Sequence, residues 1–483
     1  MGQERVRVAW ATVVFMMLSA GAGSSFAAAG LPATEPARPA PARKRLDYYR
    51  RLFLTDGYEK AGRHDPAWDA SARAAIENYA RVVAGDPLRT GDEQDAGRDA
   101  AGACLRSRCA DSLVLYVAAR LYDDRAMPEA QKLRLYCGAA ERAAEADNKY
   151  PAMLRAEILF RGAGRAAGGA RQNLLPKLAE SSKEWAKKGM ELLPAALADR
   201  DASPKAVETL FELIGASSAD VEGDRFKLLS DAAPILEKSP VSKSLQLTVT
   251  GSALIQYAWD ARGSGWASTV TPEGWKLFNE RIEAARKTLE QAWRLDPTNA
   301  SAAVEMLTIA TAQGSTYAEM DRWYRRAIEA NPASEAAING KLFYLEPKWH
   351  GSADQMLAFG RELLKDGKWE ARQPLQLVEV HFRLLQYERA DTYYGQCAAY
   401  FGKHPEAWAD VKAVYDEFLK RVPESRWHRT RYAMVAAWSG QWAEANRQFK
   451  SLGEHYAPLY PPELYRSMRK MAAERAGDKA EGP

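Results

Sequence analysis

A recurring spacing of small, apolar and proline residues most narrowly limits the folds open to this chain. In two stretches near the middle of the sequence, the marked positions follow one another at steps of four, three and five residues. Steps of three and four keep side chains on one face of a helix, and a proline ends the helix after its last turn. We therefore predict two amphipathic helices that each pack against a partner. The marked positions are Ala285, Leu289, Ala292 and Pro297, and then Met320, Tyr324, Ala327 and Pro332.

The spacing resembles the second half of a tetratricopeptide repeat, which is a pair of antiparallel helices with a period of about 34 residues. Pro332 follows Pro297 by 35 residues, close to that period. Each pair leaves an apolar face that only the next pair covers, so repeats of this kind stack into a solenoid. No long stretch alternates with period two, and we predict an all-α, tetratricopeptide-like helical-repeat solenoid of antiparallel helix pairs. Further copies lie at Ala75, Tyr79, Val82 and Pro87, and at Trp442, Ala445, Phe449 and Leu452.

The N-terminus predicts export. Two arginines, Arg5 and Arg7, precede an apolar run that ends at Ala20, and small residues follow up to Ala27. This is the pattern of a cleaved secretory signal peptide, predicted for residues 1–27. The alternative is an uncleaved N-terminal anchor, but the run is shorter than the roughly 20 residues that span a bilayer. We expect an exported, periplasmic protein with no stable membrane span after cleavage.

Composition predicts the remaining organisation. Residues 28–45 are rich in Pro and Ala and predict an extended linker. Helical patterns then predict an N-terminal helical-repeat domain at 46–238 and a C-terminal tetratricopeptide-like domain at 241–475, divided at Pro240. Residues 476–483 predict a disordered tail. The Gly-rich segment 162–169 predicts a flexible loop between helices, since it lacks the pattern of a phosphate-binding loop.

Charge gives no indication of nucleic-acid binding. The formal net charge is +4, and removing Glu4, Arg5 and Arg7 with the signal peptide takes away a net +1 and leaves +3. A nucleic-acid-binding protein would carry a clustered basic face, so no nucleic-acid partner is expected.

The four cysteines allow two interpretations. An exported chain favours disulfides, and Cys104 and Cys109 are the closest pair in sequence. On a continuous helix these two lie about 140° apart around the axis, so a bridge would need a loop or a helix end. The alternative is that the cysteines are buried free thiols.

The sequence contains no coherent catalytic or metal-binding pattern. Its six histidines have no partner at metal-ligand spacing, and neither a zinc-protease motif nor a nucleophile elbow is present. We therefore predict no catalytic residues, no metal and no cofactor.

Tryptophan and basic residues mark two segments where the helical pattern breaks. Clustered Trp and Arg are common in recognition surfaces, and loops on a rigid scaffold often carry binding residues. The alternative is that these rings fill gaps between helices. The candidate binding residues are Trp259, Arg262, Trp266 and Trp275 in the first segment, and Lys348, Trp349 and His350 in the second.

These segments also carry a resemblance. The sequences ARGSG at 261–265 and PKWHGS at 347–352 make residues 245–400 similar to a family of uncharacterised bacterial exported domains of unknown function. The resemblance implies a helical-repeat domain and assigns no activity.

Two functional hypotheses follow. The first is an exported, non-enzymatic helical-repeat protein that binds a protein or peptide partner in the cell envelope, because solenoids bind through extended concave surfaces. The second is an envelope glycan-binding module or glycan-acting enzyme with a pocket near the tryptophan-rich loops. A purely structural helical domain whose tryptophans all lie in the core is a third reading.

Overall fold

The computed structural model describes residues 40–86, 93–122, 127–172, 174, 178–263, 265 and 267–477. Within these ranges the regular elements are helices and no strand occurs. The all-α prediction is confirmed. The predicted signal peptide at 1–27 lies outside the described residues.

The helices fall into two compact units. Of the described residues, those of 40–86 and 94–341 belong to one unit, and those from Leu342 onward belong to the other. The first contains α1 (Ala40–Arg50), α2 (Asp69–Val83), α3 (Glu93–Arg106), α4 (Ser112–Leu121), α5 (Glu129–Ala143), α6 (Ala152–Arg171), α7 (Ala179–Ala196), α8 (Pro204–Val221), α9 (Arg225–Lys238), α10 (Lys243–Arg262), α11 (Pro272–Leu295), α12 (Ala300–Gln313) and α13 (Tyr317–Ala330). The boundary falls within α14 (Glu335–Tyr344). The second unit contains α15 (Ala353–Asp366), α16 (Gln376–Leu384), α17 (Tyr393–Lys403), α18 (Pro405–Arg421), α19 (Arg426–Trp438), α20 (Trp442–Leu452) and α21 (Pro462–Arg475).

Local sequence signals start several of these helices. Thr271 caps α11 by accepting a hydrogen bond from the Gly274 N–H, and Pro272 occupies the first turn, where its missing N–H has no consequence. Asp111 caps α4 and Ser352 caps α15 in the same way. These caps satisfy N–H groups that the helix itself leaves without acceptors.

The repeat positions lie in the helix interfaces. Ala285, Leu289 and Ala292 of α11 have no exposed surface. Leu289 faces Gly251 of α10 so closely that a Cβ on that glycine would lie 2.5 Å from Leu289 Cγ. Met320 of α13 is likewise fully buried. The residues at the predicted spacing therefore pack in the interface between α10 and α11 and in that between α12 and α13.

Helices of the first unit stack as pairs, α4 with α5, α6 with α7, α8 with α9, α10 with α11 and α12 with α13. The first members of successive pairs also pack side by side, α6 on α8, α8 on α10 and α10 on α12. We call α4, α6, α8, α10 and α12 the first-helix layer. The π-helical continuation of α1, Arg51–Tyr58, packs on α4 and α6.

The Gly-rich segment 162–169 is helical and belongs to α6, so the predicted flexible loop is wrong. Its glycines allow close helix packing instead. A Cβ at Gly162 would overlap that of Ala140 on α5, and one at Gly169 would overlap the Leu133 side chain. The glycines that predicted a loop are therefore positions where α5 approaches α6 too closely for a larger side chain.

The domain division also differs from the predicted one. It lies between Lys341 and Leu342 rather than at Pro240. Helix α10 follows Pro240 yet packs on α8, and Leu245 and Val249 belong to the same hydrophobic core as Leu46. Burial of this continuous core joins the segments on both sides of the proline.

The ends of the chain and the cysteines complete the description. Helix α1 begins at Ala40, inside the range 28–45 predicted as a linker, and residues 28–39 and 478–483 lie outside the described residues. In place of a bridge between Cys104 and Cys109, the structure has four buried free thiols; the other two are Cys137 and Cys397. Among the described helices, none has the length and apolarity that crossing a membrane requires.

Candidate functional site

The end of α10 brings three predicted binding residues together. The Arg262 Cζ atom lies 5.4 Å from the ring centroid of Trp259 and 5.2 Å from that of Trp275. Its Nη1 donates to the carbonyl oxygens of Gly263 and Gly265 at 3.1 and 3.2 Å. Burial lowers the pKa of Arg262, while aromatic faces and carbonyl oxygens stabilise its charge. The guanidinium therefore holds the loop against the helix end.

Both tryptophan rings also pack on the core. Trp259 and Trp275 meet the ring of Phe278 edge-on, at centroid distances of 5.0 and 5.7 Å, and Phe278 is buried. Trp266 lies outside the described residues. The described contacts of these side chains are those of a packed helix junction.

The second predicted segment belongs to the second unit. Lys348 Nζ lies 2.6 Å from Glu346 Oε2, and Arg383 Nη1 lies 3.4 Å from Glu346 Oε1. Glu346 is buried, so its charge requires cations of this kind. Lys348 thus stabilises a buried carboxylate.

The aromatic residues of that segment pack on the helix before it. The ring of Trp349 lies 5.2 Å from that of Phe343, and the ring of His350 lies 4.9 Å from that of Tyr344. These contacts fold the segment back on the C-terminal turn of α14.

Both ring nitrogens of His381 are engaged in hydrogen bonds, as in a histidine with a structural role. His381 is fully buried, with Nδ1 2.9 Å from Tyr400 Oη and Nε2 3.1 Å from Asp410 Oδ2. Asp410 also accepts two hydrogen bonds from Arg361. Burial opposes ionisation of Asp410, but its hydrogen bonds to His381 and Arg361 lower its pKa. Across the described ranges, no three His, Cys, Asp or Glu side chains are placed to hold a metal ion.

A polar cluster that the sequence did not reveal lies between α2, α4 and α6. Tyr116 Oη donates to Glu157 Oε1 at 2.6 Å and accepts from Arg161 Nε at 3.2 Å. Tyr79 Oη lies 3.4 Å from Tyr116 Oη and accepts from Arg120 Nε at 3.2 Å. We call these five residues the tyrosine–arginine cluster.

Helix geometry positions the cluster. Arg120 follows Tyr116 by four residues on α4, and Arg161 follows Glu157 by four on α6, so each pair shares one helix face. The start of α4 is fixed because Asp111 caps it while also accepting from Tyr150 Oη at 2.8 Å. These contacts hold the cluster in one register.

The phenols of the cluster remain neutral. Tyr79 and Tyr116 are buried, and burial raises the pKa of each above its ordinary value. Glu157 is 7% exposed and receives a phenol hydrogen bond. A neutral phenol can donate one hydrogen bond and accept others, so the cluster can bind hydrogen-bonding groups.

Three more tyrosines surround the cluster with unused hydroxyls. Tyr49 on α1 and Tyr136 on α5 are each 1% exposed, and Tyr48 is 6% exposed. Within the part of the chain that is described, none of their hydroxyls has a hydrogen-bond partner. The Tyr136 ring lies 6.4 Å from that of Tyr116. Buried hydroxyls without partners are rare in folded proteins, so these three groups stand out as hydrogen-bonding capacity that the described side chains do not use.

A second polar group lies farther along the first-helix layer. Lys205 Nζ lies 3.4 Å from Glu212 Oε1 and 4.0 Å from Glu208 Oε2 on α8. Ser252 of α10 donates to Glu305 of α12 at 3.0 Å. Burial, together with the charges of Glu208 and Glu212, raises the pKa of Glu305 to about 7. We call Glu208, Glu212 and Glu305 the carboxylate group.

Sequence reasoning missed both groups for an identifiable reason. The repeat spacing predicts a packing position for Tyr79, and the side chain is indeed buried. Glu157 and Arg161 have the spacing of an ordinary solvated helix face. Only the hydrogen bond from Tyr116 of α4 to Glu157 of α6, which the sequence does not encode locally, distinguishes these residues from a surface ion pair.

Comparison with known proteins gives no family assignment. No family model matches the chain, and no curated protein matches it. Among solved structures, it is similar to a protein described as "Circular tandem repeat protein with novel repeat topology and enhanced subunit contact surfaces", at 14% identity and a TM-score of 0.26, over 90% of this chain and 98% of that one. A similarity this low supports no argument about function. The chain is an all-α helical-repeat protein.

Proposed function

We propose that this chain is an exported, non-enzymatic helical-repeat protein that binds a protein or peptide partner in the cell envelope. The observation that carries the proposal is the polar character of the first-helix layer. A layer that served packing alone would be apolar, since burying charge is costly. Charged side chains of both signs lie there instead. The basic ones are Arg120 on α4 and Arg161 on α6. The acidic ones are Glu208 on α8 and Glu305 on α12.

This charge distribution favours an extended polypeptide as the partner. Stacked helix pairs present a long binding surface, and charges placed along it fix the register and direction of what binds. A polypeptide can carry acidic and basic groups at the required separation. The signal-peptide pattern at residues 1–27 and the resemblance of residues 245–400 to exported domains support the envelope as its location.

The glycan hypothesis receives less support. It required the tryptophans to line a pocket, but Trp259 and Trp275 are engaged with Arg262 and Phe278. The residues of the other segment, Lys348 to His350, pack on their own unit.

Partner capture tests the proposal. The chain without residues 1–27 is immobilised and exposed to envelope extract, in the parent form and as Arg161→Gln and Glu305→Gln. The matched control is Lys287→Gln on α11, because that side chain is 75% exposed and lies outside the first-helix layer. We expect one partner to be retained by the parent and the control and lost from both layer variants. Equal retention by all four forms would refute binding through this layer.

The export part has its own test. Cell fractionation and N-terminal sequencing of the mature chain should find it in the periplasm with residues 1–27 removed. A cytoplasmic, full-length chain would contradict the predicted signal peptide.

A further inference from the structure

We infer that the tyrosine–arginine cluster, with the hydroxyls of Tyr49 and Tyr136, is a binding site for an anionic group with several acceptor oxygens, such as a carboxylate or a phosphate. The inference rests on the proposed function only in assigning that group to the partner. The anion site itself is defined by side chains of the first unit.

The guanidinium of Arg161 carries a positive charge that no described carboxylate pairs with. Its charged and titratable neighbours are Arg120 and the phenols of Tyr79, Tyr116 and Tyr136. The nearby Glu157 accepts its hydrogen bond from Tyr116 instead. An anion would offset the charge of Arg161, whereas a water molecule would not.

The cluster and the tyrosines around it also offer hydrogen-bond donors that are not in use. A guanidinium carries five N–H donors, and the bond from Arg161 to Tyr116 uses only the one on Nε. The hydroxyls of Tyr49 and Tyr136 are buried donors without an acceptor among the described residues. The ring of Tyr49 lies 5.4 Å from that of Phe53, which in turn lies 5.4 Å from that of Tyr79. The unused hydroxyl of Tyr49 therefore belongs to an aromatic group that packs directly on the cluster.

Both guanidinium groups of the cluster are held in a fixed orientation. Each arginine is held through its Nε by a tyrosine, Arg161 by Tyr116 and Arg120 by Tyr79, and the two phenol oxygens are 3.4 Å apart. A guanidinium fixed in this way loses little side-chain entropy when it binds an anion. A ligand with two or more oxygens could accept from a guanidinium and a phenol at once, which a halide ion cannot do with comparable geometry.

Thermal unfolding with defined anions tests the inference without any partner. Inorganic phosphate, acetate and chloride are titrated at equal ionic strength against the parent chain and Arg161→Gln. The control is Arg326→Gln, because Arg326 is held by Trp293 and Trp323 rather than by tyrosine hydroxyls. We expect a saturable rise in Tm of a few degrees with phosphate or acetate, present in the parent and control and lost in Arg161→Gln. Excluded-solute effects of phosphate act on all three forms equally and cancel in the comparison.

Tyr49→Phe keeps the test decisive if Arg161→Gln does not fold. It removes only the hydroxyl, so the anion-free protein should be as stable as the parent or more so. Its anion-dependent rise in Tm should need a higher anion concentration, by about tenfold for one lost hydrogen bond of about 1.4 kcal/mol.

The outcomes separate the two proposals. A rise with acetate but not phosphate identifies a carboxylate site, and the reverse identifies a phosphate site. No saturable rise in the parent, or an equal rise in Arg161→Gln, overturns the anion site. If the rise depends on Arg161 but partner capture does not, the anion site stands and the proposed partner binds elsewhere.

Discussion

The carboxylate group makes the stability of the first unit depend on pH. Glu305 has a pKa of about 7 in the folded protein, against 4.5 for an ordinary glutamate, because it is buried beside Glu208 and Glu212. The folded state therefore holds a proton on this side chain between pH 4.5 and 7 that the unfolded state has released. Stability from this group is complete below pH 4.5 and is lost as the pH rises through 7.

The magnitude follows from the shift in pKa. A difference of one unit corresponds to about 1.4 kcal/mol, so the displacement from 4.5 to about 7 amounts to at most about 3 kcal/mol at pH 8. Glu305→Gln keeps an oxygen that can accept from Ser252 but carries no charge. We expect the variant to match the parent near pH 4.5 and to exceed it by up to about 3 kcal/mol at pH 8.

Urea unfolding from pH 4.5 to 8, followed for the transition of the first unit, measures this difference. The matched control is Glu329→Gln, an exposed glutamate on the adjacent α13, which should parallel the parent at every pH. A gap between Glu305→Gln and the parent that stays constant, or that narrows as the pH rises, would refute the reasoning.

Three further predictions follow from packing and burial. Gly162→Ala should destabilise the protein by about 1–3 kcal/mol because its Cβ would overlap Ala140. Gly168→Ala, whose Cβ would make only an ordinary contact with Arg171 Nη2 at 3.9 Å, should stabilise it by about 0.5–1 kcal/mol. Equal effects of the two changes in urea unfolding would contradict this packing. Leu289→Ala should cost about 2–5 kcal/mol in the same assay, since Leu289 is fully buried against α10; a loss below 1 kcal/mol would argue against that interface. Burial lowers the pKa of His428 well below 6.5, so the free energy of unfolding should fall as the pH drops below 6.5, by up to about 1.4 kcal/mol per pH unit. Calorimetry of His428→Gln should show that this slope is removed. An unchanged slope would exclude His428 as its source.

The sequence was most informative where structure is local. The caps at Thr271 and Ser352 are local in this sense, because each side chain accepts a hydrogen bond from an N–H only three residues ahead. The buried stripe of α11 was readable because steps of three and four repeat on one face. The loop at 345–352 was readable because Pro and Gly interrupt that pattern.

The same local reading failed where a residue's role depends on a distant neighbour. The glycines of α6 resembled a loop because their purpose, the approach of α5, is visible only in three dimensions. Pro240 predicts a division of the chain, but a proline interrupts a helix whether or not the helices on either side share a core, and here they do.

The sequence by itself therefore determined an all-helical chain of stacked pairs, since helix periodicity, caps and small residues act within a few positions of one another. The tertiary structure decided which polar side chains meet. Tyr116 and Glu157 are 41 residues apart, and their 2.6 Å hydrogen bond exists only because α4 and α6 are neighbours. Electrostatic and hydrogen-bond energies depend on distances between such helices, which local periodicity does not specify. The candidate site thus lies in the first-helix layer, where side chains that are distant in sequence meet, rather than in the segments where the helical pattern is interrupted.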